Sequence, residues 1–277
     1  MKPLLFLLAL ILPLRAAEPQ NPSPMVEHTR DHPRLKEERP NGKREKLEAG
    51  TLFIPQAIAG QKEVPLLIFM HGGTWIPEVA AAKHGMGALV IQRGDGYKAL
   101  FEKHGAFEVL VDAAAEKAAM SWTHITVGGW SAGCQGIRAM LRSESAVKRI
   151  DRVLMIDGIH TSYTDGKPGP LESKIDTEPL QPIAAFAREA IAGRKRMLIT
   201  HSEIFPGTFA STTETADWLL RELGVKRRAV LEWGPMKTQQ LSEAKSGSFQ
   251  LMGLAGNSAP DHVDQLHALS DWLNMLR

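Results

Sequence analysis

The sequence predicts an α/β protein whose mostly parallel central sheet is covered on both faces by helices. Two observations carry this. From Leu47 onward, short continuous apolar runs alternate with helix-length amphipathic segments, the pattern of strands buried on both sides. One such run, His124-Ile125-Thr126-Val127, leads into the turn Gly129-Trp130-Ser131-Ala132-Gly133, and a helix-like segment follows at once.

In chain order, strands are expected at 50–54, 65–70, 88–92, 125–128, 153–156, 196–200, 229–233 and 249–254. Helices are expected at 97–103, 107–122, 135–142, 183–192, 213–223 and 263–276. The 107–122 segment shows the helical period best, with Phe107, Leu110, Val111, Ala114, Ala118 and Trp122 on one stripe.

Before this region lie two segments of different character. Met1-Lys2-Pro3, an apolar run at 4–14 and then Arg15-Ala16-Ala17 describe a signal peptide at 1–17, too short for a comfortable membrane span. An uncleaved anchor is the competing reading. Residues 18–46 are rich in Pro, Lys, Arg and Glu and read as a flexible leader, leaving 47–277 as the folded domain. Export to a periplasmic or extracellular space is the expected localisation, with no stable membrane span after cleavage.

The formal net charge is +2, and Lys2 and Arg15 account for it, so the mature chain is neutral. A neutral chain gives no reason to expect nucleic acid or an anionic membrane as partner. The single cysteine, Cys134, excludes an internal disulfide, which a domain of this size does not need.

G-x-S-x-G between a strand and a helix is the setting of a nucleophile elbow at Ser131. The turn needs small residues at 129 and 133 because the serine backbone is strained and the helix passes close to the strand. Acyl transfer by serine also needs a base, an acid to orient it, and donors for the oxyanion. His71-Gly72-Gly73-Thr74-Trp75 follows the apolar run 65–70, where glycines let backbone N–H groups face a site unobstructed. An ordinary strand-end turn is the alternative there.

These motifs and their order resemble the α/β-hydrolase superfamily of serine esterases and lipases, over about 47–277. The resemblance implies an α/β-hydrolase fold and places oxyanion donors at Gly73 or Thr74 and at Ala132. It also places the catalytic histidine in a loop after the last strand, where His262 stands, with 263–276 as the final helix. The acid has two candidates. Asp157 ends the run 153–156, a position used by some lipases; Glu203 follows the next strand, the more usual place in the family. A lone aspartate between an apolar strand and Gly158 is costly to bury without a partner, which favours Asp157. His160 is a substrate-facing candidate, and Trp75 and Trp130 are candidates for lining the site, although core packing is the commoner fate of such residues. The connection 158–182, with Lys167-Pro168-Gly169-Pro170, is long enough to roof part of the site.

No metal-binding pattern occurs, and no cofactor is expected. Gly94-Asp95-Gly96 begins a relaxed dinucleotide pattern but lacks the acidic partner after a second strand, so it reads as a turn. The expected activity is hydrolysis of a small-molecule or polymeric carboxylic ester by an exported serine hydrolase. An amidase or peptidase on the same triad, and a non-catalytic binding protein of this fold, are the alternatives.

Overall fold

The computed structural model describes residues 35–94, 96–166 and 174–277. The expected signal peptide, the first part of the leader and Lys167-Pro168-Gly169-Pro170 lie outside these residues. Ten strands form one sheet: β1 (Gly42–Lys46), β2 (Thr51–Pro55), β3 (Glu63–Met70), β4 (Gly87–Ile91), β5 (Ser121–Trp130), β6 (Arg152–Ile156), β7 (Arg196–His201), β8 (Arg228–Trp233), β9 (Gln239–Ser246) and β10 (Phe249–Leu254). Their spatial order is β1-β2-β4-β3-β5-β6-β7-β10-β9-β8. The stretch from β4 to β10 is parallel, and antiparallel pairs close both edges.

The helices are α1 (Trp75–His84), α2 (Tyr97–Phe101), α3 (Ala106–Ala118), α4 (Cys134–Met140), α5 (Glu144–Arg149), α6 (Gln181–Ile191), α7 (Thr212–Leu223), α8 (Ala259–His267) and α9 (Leu269–Met275). Strand β3 shows why its sequence is apolar throughout. Successive side chains point to opposite faces. Leu66, Ile68 and Met70 enter one core with α2, α3, α4, α6 and α7, while Leu67 and Phe69 enter a second with α1 and α9. Each fully buried large aliphatic contributes roughly 1.5–3 kcal/mol, so a strand buried on both sides is strongly fixed in register.

The structure corrects the sequence reading at several elements, the unexpected helix α5 among them. Residues 42–46, expected within the flexible leader, form β1 and pair with β2 from Gly42↔Pro55 to Lys46↔Thr51. The charge of Arg44 is used structurally: its guanidinium donates to the buried Glu78 of α1 and lies 4.6 Å from the Phe53 ring centre. Helix α1 itself and the polar strand β9 were not expected. The 107–122 helix stops at Ala118, where Ala119 turns left-handed, so Trp122 belongs to β5 and donates its indole N–H to Val111 O at 3.2 Å. The last helix is two, α8 and α9, joined at Ala268.

Candidate active site

The C-terminal ends of β3, β5, β6, β7 and β10 lie along one edge of the sheet, where open α/β sheets place their sites. Strand β5 ends at Trp130, and Ser131 then takes φ +51° before a single tight turn leads into α4. A left-handed conformation at a serine costs of order 1–3 kcal/mol and persists only where its surroundings impose it. Here they do. A Cβ at Gly129 would sit 2.8 Å from the Gly133 carbonyl carbon, and one at Gly133 would sit 2.1 Å from Met70 O and 3.0 Å from His71 Cβ. The second contact packs the elbow against Met70 and His71, where β3 leads into the 71–74 turn.

Asp157 follows β6 directly and also takes a positive φ, +43°. Its neighbour Gly158 packs on the serine backbone so closely that a Cβ there would be 2.4 Å from Ser131 O. The Asp157 carboxylate is 1 % exposed and fully engaged. Its Oδ2 accepts from His262 Nδ1 at 2.6 Å and Ser202 Oγ at 2.8 Å, and its Oδ1 accepts from Ser202 N–H at 2.8 Å and Thr212 Oγ1 at 3.0 Å. Burial alone would raise its pKa, but the hydrogen bonds and charge of His262, with those of Ser202, outweigh it and hold the carboxyl below its ordinary value. Glu203, the other acid candidate, is exposed, and its backbone N–H bonds Gly256 O at 2.9 Å.

His262 lies in the first turn of α8, not in the loop before the helix. The helix starts earlier than expected because Pro260 suits its first turn and Asp261 Oδ2 accepts from the N–H groups of Asn257 and Ser258, both at 3.1 Å. Trp130 fixes the same residue from the other side. Its Nε1 donates to His262 O at 2.9 Å, and its ring centre lies 4.4 Å from the His262 ring and 5.2 Å from the stacked His71 ring. His71 Nδ1 is 3.2 Å from Tyr97 Oη. Trp75 packs edge-on to His267 and against the second core. Both tryptophans are therefore in packing contacts.

His160 packs edge-on to Phe209 at 5.1 Å; burial lowers its pKa to about 4, and its Nδ1 has no hydrogen-bond partner. Cys134 is buried, its Sγ is 3.2 Å from Gly129 O, and burial pushes its thiol up to about 12, so it is no thiolate nucleophile. Ser202 and Thr212 escaped the sequence reading. The one signal for Ser202 is its position beside Glu203, at the end of β7. Among the described residues, no cluster of three or more His, Cys, Asp or Glu is placed to hold a metal ion, and no helix is long and apolar enough to cross a membrane.

No protein-family model matches the sequence, and a search of curated proteins gave no match. Solved structures do resemble it. The Thermogutta terrifontis esterase 2 is 14% identical over 84% of this chain and 93% of its own, with a TM-score of 0.49. An ester hydrolase from the metagenome of Lake Arreo is 14% identical over 86% of this chain and 84% of its own, also at 0.49. The Pyrococcus horikoshii acylaminoacyl peptidase is 15% identical over 87% of this chain, with a TM-score of 0.45; this chain spans only 42% of that protein's length. These proteins are α/β-hydrolases. The likeness is one of fold alone, and what the site does is argued from its own geometry.

Proposed function

We propose that the protein is an exported serine hydrolase of carboxylic esters. The observation that carries this is the 2.6 Å hydrogen bond between Asp157 and His262, formed beside a serine in left-handed elbow geometry. With Nδ1–H donated to Asp157, the Nε2 lone pair of His262 is free to act as a base. Ser131 Oγ attacks the ester carbonyl carbon and its proton passes to His262 Nε2. Backbone N–H groups of Gly73 or Thr74 and of Ala132 receive the oxyanion. The intermediate collapses, and the leaving alkoxide departs with the proton from His262. Water, deprotonated by the same imidazole, then releases the acid and restores Ser131. Asp157 stays ionised throughout, holding the tautomer and stabilising the imidazolium. Export rests on residues 1–17 alone.

Hydrolysis of short nitrophenyl esters by the wild type and by Ser131→Ala tests the reading. The variant should lose on the order of 10⁴ or more in turnover, and a fluorophosphonate should label the wild type only. Equal rates and equal labelling would discard it.

A further inference from the structure

The chain between β7 and α7 leaves Asp157 and returns to it. Ser202, just after β7, donates its N–H to the carboxylate at 2.8 Å, and Thr212, the first residue of α7, donates its hydroxyl at 3.0 Å. Residues 203–211 are therefore a loop with both ends held on the same acid. Two backbone bonds fix it further, Glu203 N–H to Gly256 O at 2.9 Å and Ala210 N–H to Thr161 O at 3.0 Å. Gly256 packs so closely on Asp261, the residue before His262, that a Cβ there would be 2.4 Å from Asp261 Cβ.

This tethered loop carries Ile204-Phe205-Pro206 and Phe209. Phe205 is 54 % exposed and Phe209 36 %. Elsewhere among the described residues phenylalanine is buried, at Phe53, Phe69, Phe101, Phe107, Phe186 and Phe249. Large apolar side chains exposed singly need no explanation, but two rings on one short loop beside a candidate site form a surface for a ligand.

Contacts on both sides tie the rings to that site. Strands β5, β6 and β7 are neighbours, and their register sets Trp130 beside Ile156 and Ile156 beside Thr200. Ser131, Asp157 and His201 thus leave the sheet level with one another, with two strand spacings, about 10 Å, from β5 to β7. His160 bridges the interval. Its N–H bonds Gly158 O at 2.9 Å, and Gly158 packs on the Ser131 backbone. Its ring meets Phe209 edge-on at 5.1 Å, and the charges of Asp157 and His262 both act on it. Arg138 donates to its backbone carbonyl at 2.5 Å, so Phe209 rests on a fixed support.

We propose that Phe205 and Phe209 form an aromatic platform for the substrate, so that the ester carries an aryl group within about 10 Å of its scissile carbonyl. The loop offers rings, one of them already met edge-on by an imidazole, and aromatic pairs gain from ring geometry beyond the area they bury. This inference rests on the ester-hydrolase reading and narrows its substrate class.

Two measurements separate the two. The first follows acid release from matched esters in which phenyl and cyclohexyl differ only in the ring. Methyl hydrocinnamate against methyl cyclohexanepropionate tests an aryl acyl group, and phenethyl acetate against cyclohexylethyl acetate tests an aryl alcohol. In at least one pair kcat/KM should favour the phenyl member by about threefold to tenfold. Phe205→Leu and Phe209→Leu should each bring that ratio down to about one. The ratio cancels any general loss of activity, and Phe205, the more exposed ring, keeps the test alive if Phe209→Leu does not fold. The second measurement is saturation-transfer NMR on Ser131→Ala with hydrocinnamamide, whose ring protons should receive saturation that Phe205→Leu weakens. Esters hydrolysed with equal phenyl and cyclohexyl rates, or a phenyl preference that neither variant moves, overturn the platform while the hydrolase stands. Hydrocinnamamide binding that depends on Phe205 or Phe209, without turnover of any ester, overturns the hydrolase and leaves the platform in place.

Discussion

Trp130, the residue before Ser131, donates its indole N–H to the backbone carbonyl of His262 at 2.9 Å, so the strand that leads into Ser131 also holds His262. The same ring packs against the imidazoles of both His71 and His262. Trp130 is thus a positioning residue. Trp130→Phe keeps an aromatic ring, though a smaller one, and removes the indole N–H hydrogen bond, and kcat should fall about tenfold, the effect of a small misplacement of His262. KM should stay within about twofold, because ground-state binding is untouched. A lowered melting temperature with kcat preserved would show the contact to be structural only.

Asp157 and Glu203 make a paired test. Asp157→Asn preserves size but presents an amide to Nδ1, favouring the wrong imidazole tautomer, and should cost up to about 10⁴ in kcat. Glu203 is exposed, and its contact to the site is through the backbone N–H. Glu203→Gln should cost less than about tenfold. Ser202→Ala removes a hydroxyl that bonds both carboxylate oxygens, and an intermediate loss of about tenfold is expected. Kinetics on a nitrophenyl ester rank the three; an exchange of the first two would move the acid to Glu203.

Gly133 leaves no room for a side chain. The methyl of Gly133→Ala meets Met70 O, backbone on the neighbouring strand, and either the elbow or the 71–74 turn must shift. Overpacking of this kind costs about 1–3 kcal/mol, and displacement of Gly73 or Thr74 should slow labelling by a fluorophosphonate well beyond the loss of stability. A variant that melts and labels like the wild type would show that the two segments are not pressed together.

What the sequence disclosed follows where burial was symmetric. The parallel strands are apolar on both faces, so β3, β6 and β10 stand out as runs, and the elbow could be placed on a strand end because β5 closes with Gly128-Gly129-Trp130. The elements that escaped are those whose fit depends on distant partners. Strand β1, Gly-Lys-Arg-Glu-Lys, reads as solvated chain until Glu78 and Phe53 engage Arg44. Strand β9 buries Gln240 and Ser242, a polar alternation recognisable only with Arg227 bonded to Ser242 Oγ at 2.9 Å. Asp157 was legible as a charge that needed a partner, but Ser202 and Thr212, which bind its other oxygen, come from positions 45 and 55 residues away. Local pattern carries no trace of such contacts.

The last prediction concerns acid stability. His201 is 4 % exposed, with Arg227 Nη1 at 2.8 Å from its Nε2 and Thr213 Oγ1 at 3.3 Å from its Nδ1. Burial first, and then the Arg227 charge, lower its pKa to about 4; Asp157 and Asp217 oppose this weakly. His160 is lowered to about 4 as well, by burial and by the charges of His262 and Arg138, with Asp157 acting in opposition. A histidine whose folded pKa lies below the unfolded value of about 6.5 binds fewer protons when folded. Its contribution to stability is therefore complete above pH ~6.5 and declines as pH falls toward ~4, below which the loss levels off. Each should add up to about 1.4 kcal/mol per pH unit to the slope. Urea unfolding at intervals from pH 7.5 to 5, a range in which most carboxylates stay ionised, measures that slope. In His201→Asn it should drop by about one proton's worth, even if the variant is less stable at pH 7.5. An unchanged slope would mean that His201 is not buried neutral, and the contact of Arg227 with it would have to be redrawn.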